Sequence, residues 1–359
     1  MPEPTPTSSL GHTVTWPSPQ RQAAFGQWLA PWVEVHGLQP DTLRAASADA
    51  SFRRYLRIDA SRLEGASSLI VMDAPPPQEQ VQPYVNLASH MQAAGLRGPQ
   101  VLAVDEVHGF VLLSDLGPEV LLGRLQQCGP EEADTWMRRV ARRLVDWQQA
   151  MAPVALPPFD EALLQRELDL FPEWCVRTHF GLTWTEAQQQ AWQGLCQRLI
   201  HSALAQPTVA VHRDWMPRNL MVVGDDLAIL DFQDAVRGPI TYDAASMLRD
   251  AFWSWEEEQE IDWAVRYWQD ARKAGLAVHD DFGDFWRALE WMGLQRHLKV
   301  LGIFCRLQHR DGKPKYAQDL PRFFAYATRV ALRYRELAPL LPLIEPLSGF
   351  ERPTAFSMR

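Results

Sequence analysis

Apolar positions along this chain follow two rhythms, and the change of rhythm divides it. Between residues 44 and 115 they come in short runs, Tyr55–Ile58, Leu69–Met72, Val101–Val104 and Phe110–Leu113. Runs of that length flanked by turn-forming residues predict β-strands. Between the second and third, Val81–Ala94 places Val85, Leu87, Ala88 and Met91 at helical spacing, and Phe25, Trp28, Leu29 and Trp32 predict another helix over about 20–37. From residue 120 onward the spacing is helical: Trp136–Ala150, Thr185–His201, Ile261–Ala274, Asp284–Leu307 and Asp319–Leu337 all fit amphipathic helices. One interruption stands out. Val209–Val211, Leu220–Val223 and Leu227–Leu230 are strand-length apolar runs, the last two separated by the turn signal Gly224-Asp225-Asp226.

Composition narrows the class. The 359 residues allow about two to three domains, and 47% apolar with 22% charged residues describes globular cores, not disorder. A net charge of −9 argues against a nucleic-acid partner held by overall field. Cys128, Cys175, Cys196 and Cys305 are widely spaced, without a CxxC pair, and predict buried free thiols. No apolar run approaches the ~20 residues of a membrane helix. The N-terminal MPEPTPTSSLGHTVTWPSPQ has neither a basic nor an apolar signal region and reads as a disordered leader. The expected organisation is a leader over 1–20, a small β-rich lobe over 21–116, a larger helical lobe over 117–345 and a tail over 346–359. Most of the fifteen tryptophans fall in the helical part, where an aromatic-lined core would use them.

The chemistry concentrates in the interruption, HRDWMPRNLMVVGDDLAILD from His212 to Asp231. If the turn has three residues, Val223 faces Leu227 and Asn219 faces Asp231, with Cα atoms roughly 4.5–5.5 Å apart. An amide carbonyl and a carboxylate at that range can share a hard cation such as Mg²⁺. Asp214, on the loop closed by Pro217 and Asn219, would take a proton from a nucleophile beside the metal. A base and a metal pair are the equipment of phosphoryl transfer. Singly, each residue has an alternative role as a turn cap; the spacing of the set favours the catalytic one.

HRDWMPRN followed by LDFQD resembles the catalytic loop and metal-binding motif of the protein-kinase-like fold. The chain is most similar to its small-molecule branch, the aminoglycoside phosphotransferase and choline kinase group. The resemblance implies an α+β, bilobal fold with a β-rich nucleotide-binding lobe and a mainly helical catalytic lobe. It makes Asp214 the catalytic base and Asn219 and Asp231 the magnesium ligands. His212 and Asp243, the latter in GPITYDAA, would support the loop. Asp231 is followed by Phe232-Gln233-Asp234, where protein kinases have Phe-Gly. Ser114-Asp115-Leu116-Gly117 falls where the resemblance places the adenine-binding hinge.

One departure is serious. The fold normally carries a phosphate-binding lysine on its third strand, yet the lysines here are Lys273, Lys299, Lys313 and Lys315, all in the helical part. The segment from Ser47 to Tyr55, with Ser51, Phe52, Arg53 and Arg54, sits where a phosphate-covering loop belongs. Its small residues let backbone amides approach an anion, and Arg53 or Arg54 would supply charge, with Arg57 a third candidate. Alternation puts neighbouring arginines on opposite faces, so all three cannot serve one site; the alternative is that they lie along a strand edge.

The set SFRRY, VMDAPP, LLSDLG, HRDWMPRNLMV, LDFQDAVRGPITYD and QRHLKVLGIF, spanning about residues 25–345, resembles bacterial anomeric amino-sugar kinases. These phosphorylate N-acetylmuramate and N-acetylglucosamine on the C1 hydroxyl in cell-wall recycling. The resemblance implies ATP, Mg²⁺ and an amino-sugar substrate, no nucleic acid or membrane partner, and a cytoplasmic monomer. Asp234 would bind sugar hydroxyls. Glu173 and Arg177 would line a sugar wall. Arg296 and Lys299, on one helix face, would meet the lactyl carboxylate of N-acetylmuramate or form a solvated stripe. Two other readings remain: a kinase for an aminoglycoside, choline or homoserine, and an inactive nucleotide-binding protein.

Overall fold

A computed structural model describes residues 14–47, 53–250 and 253–348. It divides into two compact units, one taking the chain up to Glu119 together with Met221–Gln233, the other Val120–Leu220 and everything from Asp234.

The smaller unit opens with α1 (Pro19–His36), capped by the Ser18 side chain at one end and by left-handed Gly37 at the other. An antiparallel five-stranded sheet follows: β1 (Leu38–Ser47), β2 (Arg54–Ala60), β3 (Ser68–Asp73), β4 (Val101–Asp105) and β5 (Phe110–Ser114), ordered β1-β2-β3-β5-β4. Helix α2 (Gln82–Ala93) stands between β3 and β4. Periodicity anticipates four of these strands and misses β1, whose sequence LQPDTLRAAS lacks alternation and contains Pro40. Its place explains this. β1 is an edge strand with a register break between Gln39 and Arg44, where a residue without an N–H can sit. Phe25 and Leu29 of α1 pack with Leu56, Ile58, Val71 and Phe110. Trp16, in the stretch expected to be a leader, packs against Phe25 with ring centroids 4.7 Å apart, so order begins earlier than composition suggests.

The larger unit is mainly helical. Its helices are α3 (Leu121–Leu125), α4 (Pro130–Ala150), α5 (Glu161–Leu170), α6 (Glu186–Leu204), α7 (Thr241–Leu248), α8 (Glu257–Lys273), α9 (Phe282–His309), α10 (Leu320–Arg333) and α11 (Leu341–Ser348). Helix α5 runs on as a π-helix over Phe171–His179. The helix expected over 319–337 stops at Arg333 and resumes as a 3₁₀ segment, Arg335–Leu340. Two short strands, β6 (Thr208–Val211) and β9 (Val236–Pro239), pair antiparallel. Between them in sequence lie the 3₁₀ turn Pro217–Asn219 and the two-stranded pair β7 (Leu220–Val223) and β8 (Asp226–Ile229). Helix α9 is buried on nearly every face, Leu294, Leu298 and Leu301 included. Three of the four free cysteines, Cys175, Cys196 and Cys305, are buried, as expected of thiols used for packing. Among the described residues no helix is long and apolar enough to cross a membrane.

Candidate active site

In the larger unit β6 delivers the chain to His212, and the loop beyond is locked in place. Arg213 adopts φ 79°, a left-handed conformation that costs a residue with a Cβ about 1–2 kcal/mol. What offsets this is Asp243, fully buried in α7. Its Oδ2 accepts the His212 N–H at 2.6 Å and its Oδ1 the Arg213 N–H at 2.9 Å. His212 itself packs edge-on against Trp147 and Trp215, ring centroids 5.2 and 5.4 Å away. The loop then closes on itself. Asn219 Nδ2 donates to the Asp214 carbonyl at 2.9 Å, which turns the amide oxygen of Asn219 the other way. The Asn219 N–H donates to the Met216 carbonyl at 2.9 Å.

Asp214 is half-buried and surrounded by cations. Burial alone would raise its pKa. Lys299, Arg296, Arg213 and His212 outweigh that and hold it below the usual carboxylate value, so it is ionised and ready to accept a proton. Two of these groups, Arg213 and Lys299, are themselves neutralised from behind. Glu167 of α5, 4% exposed, takes Arg213 Nη2 at 2.6 Å and Lys299 Nζ at 2.9 Å on one oxygen, Oε1. Lys299 Nζ also donates to the Tyr242 hydroxyl at 2.9 Å.

Asp231 lies in the smaller unit. It too is left-handed, φ 60°, a conformation that Asp tolerates better than most residues. Its Oδ1 accepts from Gln233 Nε2 at 2.8 Å, and the neighbouring Phe232 stacks on Tyr84 of α2 at 4.8 Å. The expected register fails here. The turn between β7 and β8 is two residues, Gly224-Asp225, because Asp226 is already in the strand. Pairing therefore shifts by one, and the argument that put Asn219 opposite Asp231 loses its basis; Asp231 lies beyond the strand, not in the ladder. Each residue by itself still carries an oxygen of the kind Mg²⁺ prefers. Asn219 and Asp231 offer hard oxygens only, and among the described residues no group of three or more His, Cys, Asp and Glu competes as a metal cage.

Other expectations change. Arg54, a candidate phosphate ligand, is committed to Asp73 at the end of β3. Its Nε donates to Asp73 Oδ2 at 3.0 Å while Arg21 Nε of α1 takes Oδ1 at 3.2 Å. Arg57 grips Asp115 at 2.6 and 3.0 Å and the Gly117 carbonyl at 2.9 Å. Asp115 also accepts from Ser68 Oγ at 2.6 Å, and Ser114 Oγ accepts the Gln100 N–H at 2.9 Å. The side chains on either side of Leu116 are thus tied to the sheet. Arg53 pairs with Glu79 at 2.8 Å. Ser51 and Phe52 lie outside the described residues. Arg296 and Lys299 are neither a solvated stripe nor an open anion patch. They are buried, because α9 is enclosed by other helices, and their charge faces Asp214. Glu173 and Arg177 are exposed on the π-helix, where Glu173 acts on Arg306 instead. Asp234 is exposed where the chain enters β9.

Glu167 and Tyr242 were missed. A signal existed for Glu167: in LLQRELDLF it shares the stripe of Leu164, Leu168 and Phe171, and a charge on an apolar face needs a partner.

The loop thus combines a left-handed turn held by a buried aspartate, an ionised Asp214 and an asparagine five residues on. The sequence profile described as "Phosphotransferase enzyme family" matches residues 42–282. The chain belongs to that family. Among curated phosphotransferases it is 48% identical to the N-acetylmuramate/N-acetylglucosamine kinase of Pseudomonas putida over 89% of this chain and 92% of that one. It is 45% identical to the protein of that name in Neisseria meningitidis, over 92% and 97%. Solved folds agree. Plasmodium vivax ethanolamine kinase matches with a TM-score of 0.58 at 10% identity, covering 87% of this chain and 89% of that one. The ADP-bound aminoglycoside phosphotransferase APH(2'')-Ib matches at 0.56 and 12%, covering 87% and 98%. This chain is thus a phosphotransferase with the protein-kinase-like fold.

Proposed function

We propose that the chain transfers the γ-phosphoryl group of ATP to the C1 hydroxyl of N-acetylmuramate and N-acetylglucosamine, as a step of cell-wall recycling. The observation that carries the reading is the 45–48% identity, across about nine-tenths of the chain, to kinases named for those two sugars. In the reaction the sugar O1 bonds to the γ-phosphorus, the bond from that phosphorus to the β–γ bridging oxygen breaks, and the O1 proton passes to Asp214. Cations around Asp214 make it a weak base. That suits an anomeric hydroxyl, which is more acidic than an ordinary alcohol, and a proton that leaves late in transfer. Asn219 and Asp231 are the residues that would hold Mg²⁺, which supplies neutralisation of phosphate charge. The backbone of Ser114, Asp115 and Leu116 would meet adenine, with Ser51, Phe52 and Arg53 near the phosphates and Asp234 toward sugar hydroxyls. A cytoplasmic monomer acting on a free sugar completes the reading.

An ADP-release assay with N-acetylmuramate, N-acetylglucosamine, kanamycin and choline tests it, with ³¹P NMR of the product. Turnover on the two sugars giving a 1-phosphate is expected. Turnover only on kanamycin or choline, or a product phosphorylated at another hydroxyl, would overturn it.

A further inference from the structure

Glu167 and Lys299 come from helices far apart in sequence, yet their contact is fixed by backbone packing. Gly302 of α9 lies against Leu170 of α5 so closely that a Cβ there would sit 2.4 Å from the Leu170 carbonyl carbon and 2.5 Å from its oxygen. One turn toward the N-terminus on each helix stand Lys299 and Glu167, 2.9 Å apart. The close crossing therefore sets the register that brings an ammonium and a carboxylate together below the loop. Glu167 also holds Arg213, the residue before Asp214, at 2.6 Å, and Arg213 is the left-handed residue of the loop. Lys299 reaches α7 through Tyr242, next to Asp243, whose carboxylate holds the other end of that turn. Two anchors thus grip Arg213: Asp243 its backbone, Glu167 its guanidinium.

We infer that Glu167 and Lys299 are positioning residues for the transfer step, holding Arg213 so that Asp214 meets the acceptor hydroxyl in line. Neither touches the reacting atoms. Lys299 keeps Glu167 aimed, and Glu167 fixes the side chain of a residue whose backbone conformation is unfavourable on its own. A misplacement of about 1 Å at a reacting group can cost on the order of 10²-fold in rate. This rests on the reading of Asp214 as the proton acceptor.

The test uses the full chain and N-acetylglucosamine as acceptor. Glu167→Gln and Lys299→Met should each lower kcat at least tenfold, with KM for ATP within about twofold and one nucleotide still bound per chain. The binding stoichiometry separates slower turnover from a smaller folded fraction. Lys299→Arg keeps the cation and should recover kcat to within about fivefold of wild type. The double variant Glu167→Gln/Lys299→Met removes the buried ammonium together with the carboxylate and leaves Arg213 beside Asp214, so it should fold at least as well as Glu167→Gln alone. It should be no slower than the worse single variant, since both act through one contact. Wild-type kcat in Lys299→Met or in the folded double variant overturns the inference. Asp214→Asn is the reference: if it retains turnover, the reading of Asp214 fails instead, whatever the Glu167 and Lys299 variants do.

Discussion

Replacing Gly302 with alanine adds one methyl group where α9 crosses α5. That methyl would meet Leu170 at 2.4 Å from its carbonyl carbon, 2.5 Å from its oxygen and 2.6 Å from its Cβ. Relaxed carbon contacts lie at about 3.5–4.0 Å, and two of these three atoms are backbone, which cannot rotate away. The helices must part by about 1 Å. Overpacking of this kind costs about 1–3 kcal/mol or somewhat more. Alanine also favours helix over glycine by about 1 kcal/mol. Two backbone contacts this short place the cost at the upper end, about 3 kcal/mol, so the net expectation is a loss of about 2 kcal/mol, read as a lower urea midpoint for the larger unit. Parting the helices also lengthens the 2.9 Å contact between Lys299 and Glu167 one turn away, so kcat should fall about tenfold. The same helix contains its control. A Cβ at Gly293 would meet Ala245 Cβ at 3.6 Å and Arg249 Nη1 at 3.8 Å, which is ordinary contact. Gly293→Ala should therefore raise the midpoint through propensity alone. If Gly302→Ala raises it as much, or leaves kcat unchanged, the crossing is looser than described and the argument built on it fails.

Asp214→Asn should abolish turnover while ATP affinity stays within about threefold, since an amide cannot accept the hydroxyl proton; a measurable residual rate near wild type would remove Asp214 from its role. Asp243 is pushed up to about 7 by burial and by the charge of Asp214, against the N–H groups of His212 and Arg213. Its folded value thus lies above the unfolded value of about 3.9, so its stabilising contribution is present below pH ~4 and is lost as the pH rises toward 7. Asp214, shifted down, changes outside that window. The wild-type urea midpoint should fall relative to that of Asp243→Asn between pH 4 and 7, and a constant difference would refute this. Arg249 is fully buried, bonded to Glu260 at 3.0 Å and to Glu290 at 2.9 Å. Arg249→Met should cost about 3–5 kcal/mol in chemical denaturation because both carboxylates lose a buried partner, although Arg329 and Arg333 remain to share them. Arg57→Ala frees Asp115 and the Gly117 carbonyl and should raise KM for ATP several-fold with kcat little changed; an unaltered KM would show that the hinge holds without it.

Short-range pattern carried most of what was read correctly from the sequence. Strands β2 to β5 follow from short apolar runs, and the long helices from apolar residues at helical spacing. The loop from His212 to Asn219 is legible because Asp and Asn at fixed offsets can serve a turn and a metal at once. Errors came where local sequence is indifferent. Whether Asp226 ends a turn or begins a strand is one residue's choice, and it moved the whole register of the hairpin. Arg53, Arg54 and Arg57 look alike in sequence, yet Glu79, Asp73 and Asp115 claim one each, and all three carboxylates come from other segments of the sheet lobe.

By itself the sequence determined the kind of enzyme, a phosphotransferase, in a chain divided into a sheet-rich and a helical part. Only the tertiary structure decided what surrounds that chemistry. Arg296 and Lys299 are buried cations and not a solvated stripe because other helices enclose α9. Glu167 became the counter-charge of Lys299 because Gly302 lets α5 come close enough. A charge's environment is set by which distant segments exclude water from it, and helical spacing within one segment does not contain that information.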